Sequence, residues 1–90
     1  MRIATIKNLD VAIDELNVVT GNAKKSYRID DAGKHRANVG NYNLYMAYGG
    51  HGLAQIDSNG GGVRMVFGLT TKKELYGQIR AMLAGIALAR

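Results

Sequence analysis

Between Tyr27 and Phe67, short apolar and aromatic runs are cut at regular intervals by glycine, and this spacing leaves the chain few folds to choose from. The clearest stretch is residues 40–67, GNYNLYMAYGGHGLAQIDSNGGGVRMVF. The runs are too short for helices, and the residues between them favour turns. That is the pattern of an antiparallel β-meander. Apolar residues at helical spacing lie on both sides of it. The expectation is an α+β fold with an N-terminal helix, an antiparallel meander of three to five strands and a C-terminal helix. Both helices should pack on one sheet face. Residues 1–90 are read as one domain, because a chain of 90 residues can build one core and not two.

The first helix starts at Thr5 or Asn8, either of which can serve as N-cap, and ends at Thr20. Ile6, Leu9, Ala12, Ile13, Leu16 and Val19 share its core face, and Asp10, Asp14 and Glu15 point away from it. Gly21 is placed to end the helix in the left-handed conformation. Val11 and Val18 lie together on the back, either as scattered surface or as the edge of a contact with a second chain. Strands are expected over 26–30, 34–39, 42–48, 53–57 and 63–67, with turns at 30–33, 40–41, 49–52 and 58–62. In the last strand Val63, Met65 and Phe67 should face one way, and Arg64 and Val66 the other.

The second helix starts at Thr70 or Thr71 and continues to the chain end, and Thr71 with Glu74 makes a capping-box pattern. Leu75, Ile79, Met82, Leu83 and Ile86 form its core stripe. Beside them Gly77, Ala81, Gly85 and Ala89 form a stripe of small residues. Each interior glycine costs roughly 1 kcal/mol relative to alanine, so close packing should compensate. The neighbour is either the rest of the same chain or the same helix of a second copy. Leu88 also lies away from the core stripe, which leaves a narrow polar arc around Lys73 and Arg80. Val11, Val18, Gly77, Ala81, Gly85 and Leu88 are therefore the candidate self-association surface, with a homodimer as the corresponding assembly.

There is no cysteine, which excludes disulfides, thiolate nucleophiles and cysteine-based zinc sites. His35 and His51 have no partner at metal-ligand spacing. No Ser-His-Asp order is present, and the glycine run 60–62 lacks the phosphate-loop pattern and leads into a strand. No catalytic residue, cofactor or metal is expected, and the chain reads as a non-enzymatic protein. Residues 1–10 contain no apolar run of signal-peptide type. The longest apolar run, residues 81–89, falls far short of the ~20 residues that span a bilayer. A cytoplasmic chain with no membrane partner is expected.

Lysine and arginine number 12 against 7 aspartates and glutamates, for a net charge of +5. A basic domain this small suits either a polyanionic partner or a surface charged for solubility alone. Lys24, Lys25, Lys34, His35 and Arg36 lie in loops and an edge strand. Lys72 and Lys73 open the second helix, where cations oppose the helix dipole but can hold a phosphate beside exposed amides. These seven are the candidate nucleic-acid contacts. Tyr45, on the opposite sheet face to Tyr42, is either merely half-buried there or free to stack on a base.

The order helix, strands, helix resembles the double-stranded-RNA-binding domain, and Thr71-Lys72-Lys73-Glu74-Leu75 looks like the lysine-bearing opening of that family's second helix. The chain departs from it in having only a partial alanine-rich continuation, no glycine-proline-histidine element, and five strand candidates where the family has three. Thr5-Ile6-Lys7-Asn8-Leu9, Leu16 with Thr20-Gly21, Gly40-Asn41-Tyr42, Ala47-Tyr48-Gly49-Gly50, Gly60-Gly61-Gly62-Val63 and Lys73-Glu74-Leu75-Tyr76 are similar to a set of small, uncharacterised proteins of tailed bacteriophages and prophages. The resemblance covers nearly the whole chain. It implies a phage accessory protein made in the bacterial cytoplasm and brings no activity with it. The residues themselves leave two binding functions, of which the first is the leading expectation and the second the alternative. One is a protein-interaction or self-associating module, whose partner is a second copy or an unidentified phage or host protein. The other is nucleic-acid binding.

Overall fold

The computed structural model describes residues 5–89. Residues 1–4, part of the stretch read for a signal, and Arg90, the expected end of the second helix, lie outside them. The chain runs α1 (Ile6–Val19), β1 (Tyr27–Ile29), β2 (His35–Ala37), β3 (Tyr42–Ala47), β4 (Gly50–Ile56), β5 (Val63–Thr70) and α2 (Lys72–Ala89). The α+β class is as expected. The five strands do not form one ribbon, however. β3, β4 and β5 make an antiparallel meander, and β1 and β2 make a separate two-stranded hairpin.

Thr5, not Asn8, caps α1. The Asn8 N–H donates to Thr5 Oγ1 at 3.1 Å and the Thr5 N–H donates to Asn8 Oδ1 at 3.1 Å. Each residue satisfies an amide that the helix start would otherwise leave unpaired. At the other end the Asn22 N–H reaches back to Asn17 O at 2.8 Å and the Gly21 N–H to Val18 O at 3.1 Å, which closes a Schellman motif.

Leu9, Ala12, Ile13 and Leu16 of α1 pack with Leu75, Ile79 and Leu83 of α2 over Tyr42 and Leu53. Leu44, Leu53 and Phe67 are cross-strand neighbours on one row of the sheet, and all three join this core. Both helices therefore cover the same sheet face. Burying one leucine or isoleucine side chain contributes about 1.5–3 kcal/mol. Leu9, Leu16, Leu53, Leu75 and Ile79, all at 0% exposure, dominate the stability of so small a domain. Arg80 reaches Glu15 at 3.5 Å across the two helices, an exposed pair that adds little.

Asn17 is a buried polar residue in this apolar layer. Its Nδ2 donates to Tyr42 O at 2.9 Å, and its Oδ1 accepts from the Tyr42 N–H at 2.7 Å. One side chain thus supplies the donor and the acceptor that a further strand would have offered to β3.

Three local expectations change. The segment 49–52 is not a turn. The loop is Tyr48-Gly49, both at positive φ (51° and 76°), between the paired residues Ala47 and Gly50. Two-residue hairpin loops take this form because its twist matches that of the strands. Gly50, His51 and Gly52 then belong to β4. Gly52 is there because β5 passes close: a Cβ would lie 2.8 Å from Phe67 O and 2.7 Å from Met65 Cε.

β5 extends to Thr70 and carries two register shifts against β4, between His51 and Leu53 and between Leu53 and Ala54. An extra residue on one strand breaks the two-residue alternation. Val66 and Phe67 consequently both pack against the core, where strict alternation had opposed them. The capping box of α2 is also half-formed. The Glu74 N–H donates to Thr71 Oγ1 at 3.1 Å, but the Glu74 carboxylate accepts from Thr70 Oγ1 at 2.6 Å. Among the described residues no helix is long and apolar enough to cross a membrane.

Candidate nucleic-acid interface

β1 and β2 pack mainly on each other and form an arm beside the helix–sheet core. Its turn is built by Asp30. Asp30 Oδ1 accepts from the Ala32 and Lys34 N–H groups, each at 2.9 Å, and Oδ2 accepts from Arg36 Nε at 2.7 Å. These bonds, the Arg36 guanidinium first and then the Lys34 amide, hold the Asp30 carboxyl below the usual aspartate range. A depressed folded value stabilises the turn above the ordinary aspartate value, and that contribution fades as pH falls through the folded value. The protection of the Ala32 and Lys34 amides, taken relative to the intrinsic exchange rate at each pH, should therefore fall as the pH drops from about 4 through that lower folded value. Asp30→Asn should remove this pH dependence, which amide exchange read by NMR can check.

The base of the arm is fixed by two asparagines. Asn41, fully buried, donates from Nδ2 to Ala23 O at 2.7 Å and accepts from Ser26 Oγ at 3.1 Å. Asn38 Nδ2 donates to Lys25 O at 2.9 Å, while its Oδ1 accepts from Arg28 Nη1 at 2.6 Å. The segment carrying Lys24 and Lys25 is thereby held against the hairpin.

Between that segment and the hairpin lies a cleft of about 830 Å³, lined by Ala23, Lys24, Lys25, Tyr27, Arg28, Ile29, His35 and Asn38. In the hairpin register Tyr27 pairs with Ala37, Ile29 with His35 and Arg28 with Arg36. Tyr27, Ile29, His35 and Ala37 therefore share one face, and the two arginines the other. Arg28 and Arg36 also line a smaller hollow of about 240 Å³, with Ala37 and Asn59. Lys24, Lys25, Lys34, Lys72 and Lys73 take part in no ion pair among the described residues.

Of the seven candidate nucleic-acid contacts, the structure brings Lys24, Lys25 and His35 into one cleft. Lys34 and Arg36 lie on the same arm outside that lining. Lys72 and Lys73 stand apart. The arm joins the meander at the Ile56 end of β4, where Gly40 and Asn41 exchange backbone bonds with Ile56, whereas α2 begins beyond the His51–Thr70 pair. Five residues of strand at ~3.3 Å each set these ends about 17 Å apart. Thr71 and Glu74 also occupy the α2 start with their own bonds. Arg28, Tyr27 and Ile29 are site residues that spacing alone missed. The signal was the hairpin register, since alternation about the 30–33 turn sets Tyr27 and Ile29 on one face. Tyr45, on β3 opposite Gly52, is not part of the cleft.

The self-association candidates are all on the surface. Val11, Val18 and Leu88 are exposed, Leu88 at 88%, and Gly77, Ala81 and Gly85 are exposed as well. A Cβ added at Gly77 or Gly85 meets nothing within 4 Å. Close packing of these glycines against α1 or the sheet is thus overturned. The core stripe faces the sheet, and the glycines face away.

Among the described residues no group of three or more histidine, aspartate or glutamate side chains could hold a metal ion. Compared with protein-family models, curated proteins and solved structures, the chain matches none.

Proposed function

We propose that this chain is a non-enzymatic accessory protein of phage type that works in the bacterial cytoplasm by binding nucleic acid through its basic arm. The observation that carries this reading is the cleft. Lys24, Lys25, Arg28 and His35 line it, and among the described residues no carboxylate does. Lys24 and Lys25 take part in no ion pair among the described residues, and a polyanion relieves the repulsion between such neighbouring cations while releasing its counterions. The resemblance to small phage proteins supports the setting. The test is binding of labelled DNA and RNA oligonucleotides, read by fluorescence anisotropy at two salt concentrations. With about three phosphate contacts, affinity should fall roughly 20- to 40-fold between 50 and 200 mM salt. Binding that ignores salt, or none at the lower concentration, would remove this function.

A second reading is favoured by one separate observation: the two interior glycines of α2 face open space beside an exposed Leu88. A helix of a second copy could approach closely there. Light scattering at high protein concentration should then report a dimer. Gly85→Leu should give a monomer of at least the parent's stability, because leucine favours the helix by roughly 0.8 kcal/mol over glycine. A parent that is monomeric throughout eliminates this surface.

A further inference from the structure

We infer that the arm cleft seats one unstacked base of a single strand, so that the nucleic acid bound here is single-stranded. The inference rests on the nucleic-acid reading above and names its substrate class. A surface that only met phosphates would need cations and nothing more. This cleft has an apolar floor as well: Tyr27 is 51% exposed and Ile29 66% exposed, and both stand on the same hairpin face. Its volume, about 830 Å³, lies within the range of pockets that take small organic ligands.

The floor abuts the neighbouring loop, and the rim is held in place. The Tyr27 hydroxyl lies against the backbone of Gly61 in the 58–62 loop, so close that a Cβ there would stand 2.7 Å from it. The rim segment that carries Lys24 and Lys25 is tied down on both sides, Lys25 O accepting from Asn38 Nδ2 at 2.9 Å and Ala23 O from Asn41 Nδ2 at 2.7 Å. A rim segment fixed before binding loses little freedom when a ligand arrives. An aromatic ring with flanking cations is the combination that single-stranded nucleic acids use, because each base offers a face to stack and each link a phosphate. In a duplex those faces are already stacked on neighbouring bases, and the apolar floor would have nothing to cover.

The experiment uses the full chain with oligothymidylate and with a duplex of equal length, both read by anisotropy at one low salt concentration. The single strand should bind more tightly. Tyr27→Ala should weaken single-strand binding about tenfold to a hundredfold, while duplex binding and the salt slope stay as in the parent. Tyr27→Phe should keep single-strand binding, because the ring is what stacks. An unchanged thermal midpoint in Tyr27→Ala separates a lost platform from a lost fold. If that variant is unstable, Ile29→Ser provides the same comparison from the neighbouring floor residue. Equal binding of both forms, with Tyr27→Ala indifferent, overturns the single-strand inference and leaves the nucleic-acid reading standing. Binding of neither form overturns both.

Discussion

Asn17→Ala should cost this domain about 4 kcal/mol and lower its thermal midpoint by on the order of 20 °C. Asn17 is fully buried, and its amide pairs with both the N–H and the C=O of Tyr42. Alanine removes both partners and leaves two backbone groups in the apolar layer between α1 and β3. A buried polar group without a partner costs about 1–3 kcal/mol, so the two together cost about 2–6. A domain of 90 residues has roughly 5–13 kcal/mol in total, so the loss is a large share of it. Each kilocalorie shifts the midpoint of so small a domain by about 4–8 °C. Asn17→Leu should be nearly as damaging despite filling the space, because the missing groups are polar. Urea and thermal unfolding followed by circular dichroism measure this directly. A midpoint within about 5 °C of the parent in both variants would show that the Asn17–Tyr42 pair is not what seats α1 on the sheet.

The second large effect should fall on binding and spare the fold. Replacing Lys24, Lys25 and Arg28 together by glutamine removes all three lysine and arginine residues lining the cleft. Each phosphate contact contributes about 0.7–0.9 to the slope of log affinity against log salt. Losing three should reduce the slope by about 2–3 and the affinity at roughly 0.1 M salt by about 10² to 10³. Lys24, Lys25 and Arg28 are exposed, so the thermal midpoint should move little. Replacing Lys72 and Lys73 in the same way should leave binding near the parent value, because they lie at the far end of β4. If the Lys72/Lys73 variant loses binding and the arm variant keeps it, the interface is at the α2 start and the cleft is not the site.

Particular residues show how much of this was legible in the chain. Helical spacing in Leu9, Ala12, Ile13 and Leu16, and in Leu75, Ile79 and Leu83, located both core faces, because an amphipathic helix has one way to hide its apolar stripe. Gly21 and Thr71 marked helix ends through their own local chemistry. The Gly50–Gly52 stretch misled for a reason internal to the strand. Glycine at Gly52 meets a need for space next to Phe67, and from sequence that cannot be told from a need for a turn. The extra residues of β5 were hidden as well, because a bulge depends on what the partner strand does. The arm was legible as a hairpin with a basic composition. That Lys24 and Lys25 are bound to it through Asn38 and Asn41, with Tyr27 and Ile29 beneath them, was not.

What the chain alone determined is therefore local: two amphipathic helices, their ends, a set of short strands and an excess of positive charge. Such features are decided by interactions within a few residues, and spacing records them. Only the tertiary structure decided that the strands split into a meander and an arm, that the glycines of α2 face outward, and that the cations divide between two ends of β4. Those outcomes depend on contacts between residues far apart in the chain, such as Asn17 with Tyr42 and Asn41 with Ala23. Their energies have no signature in any short window of sequence.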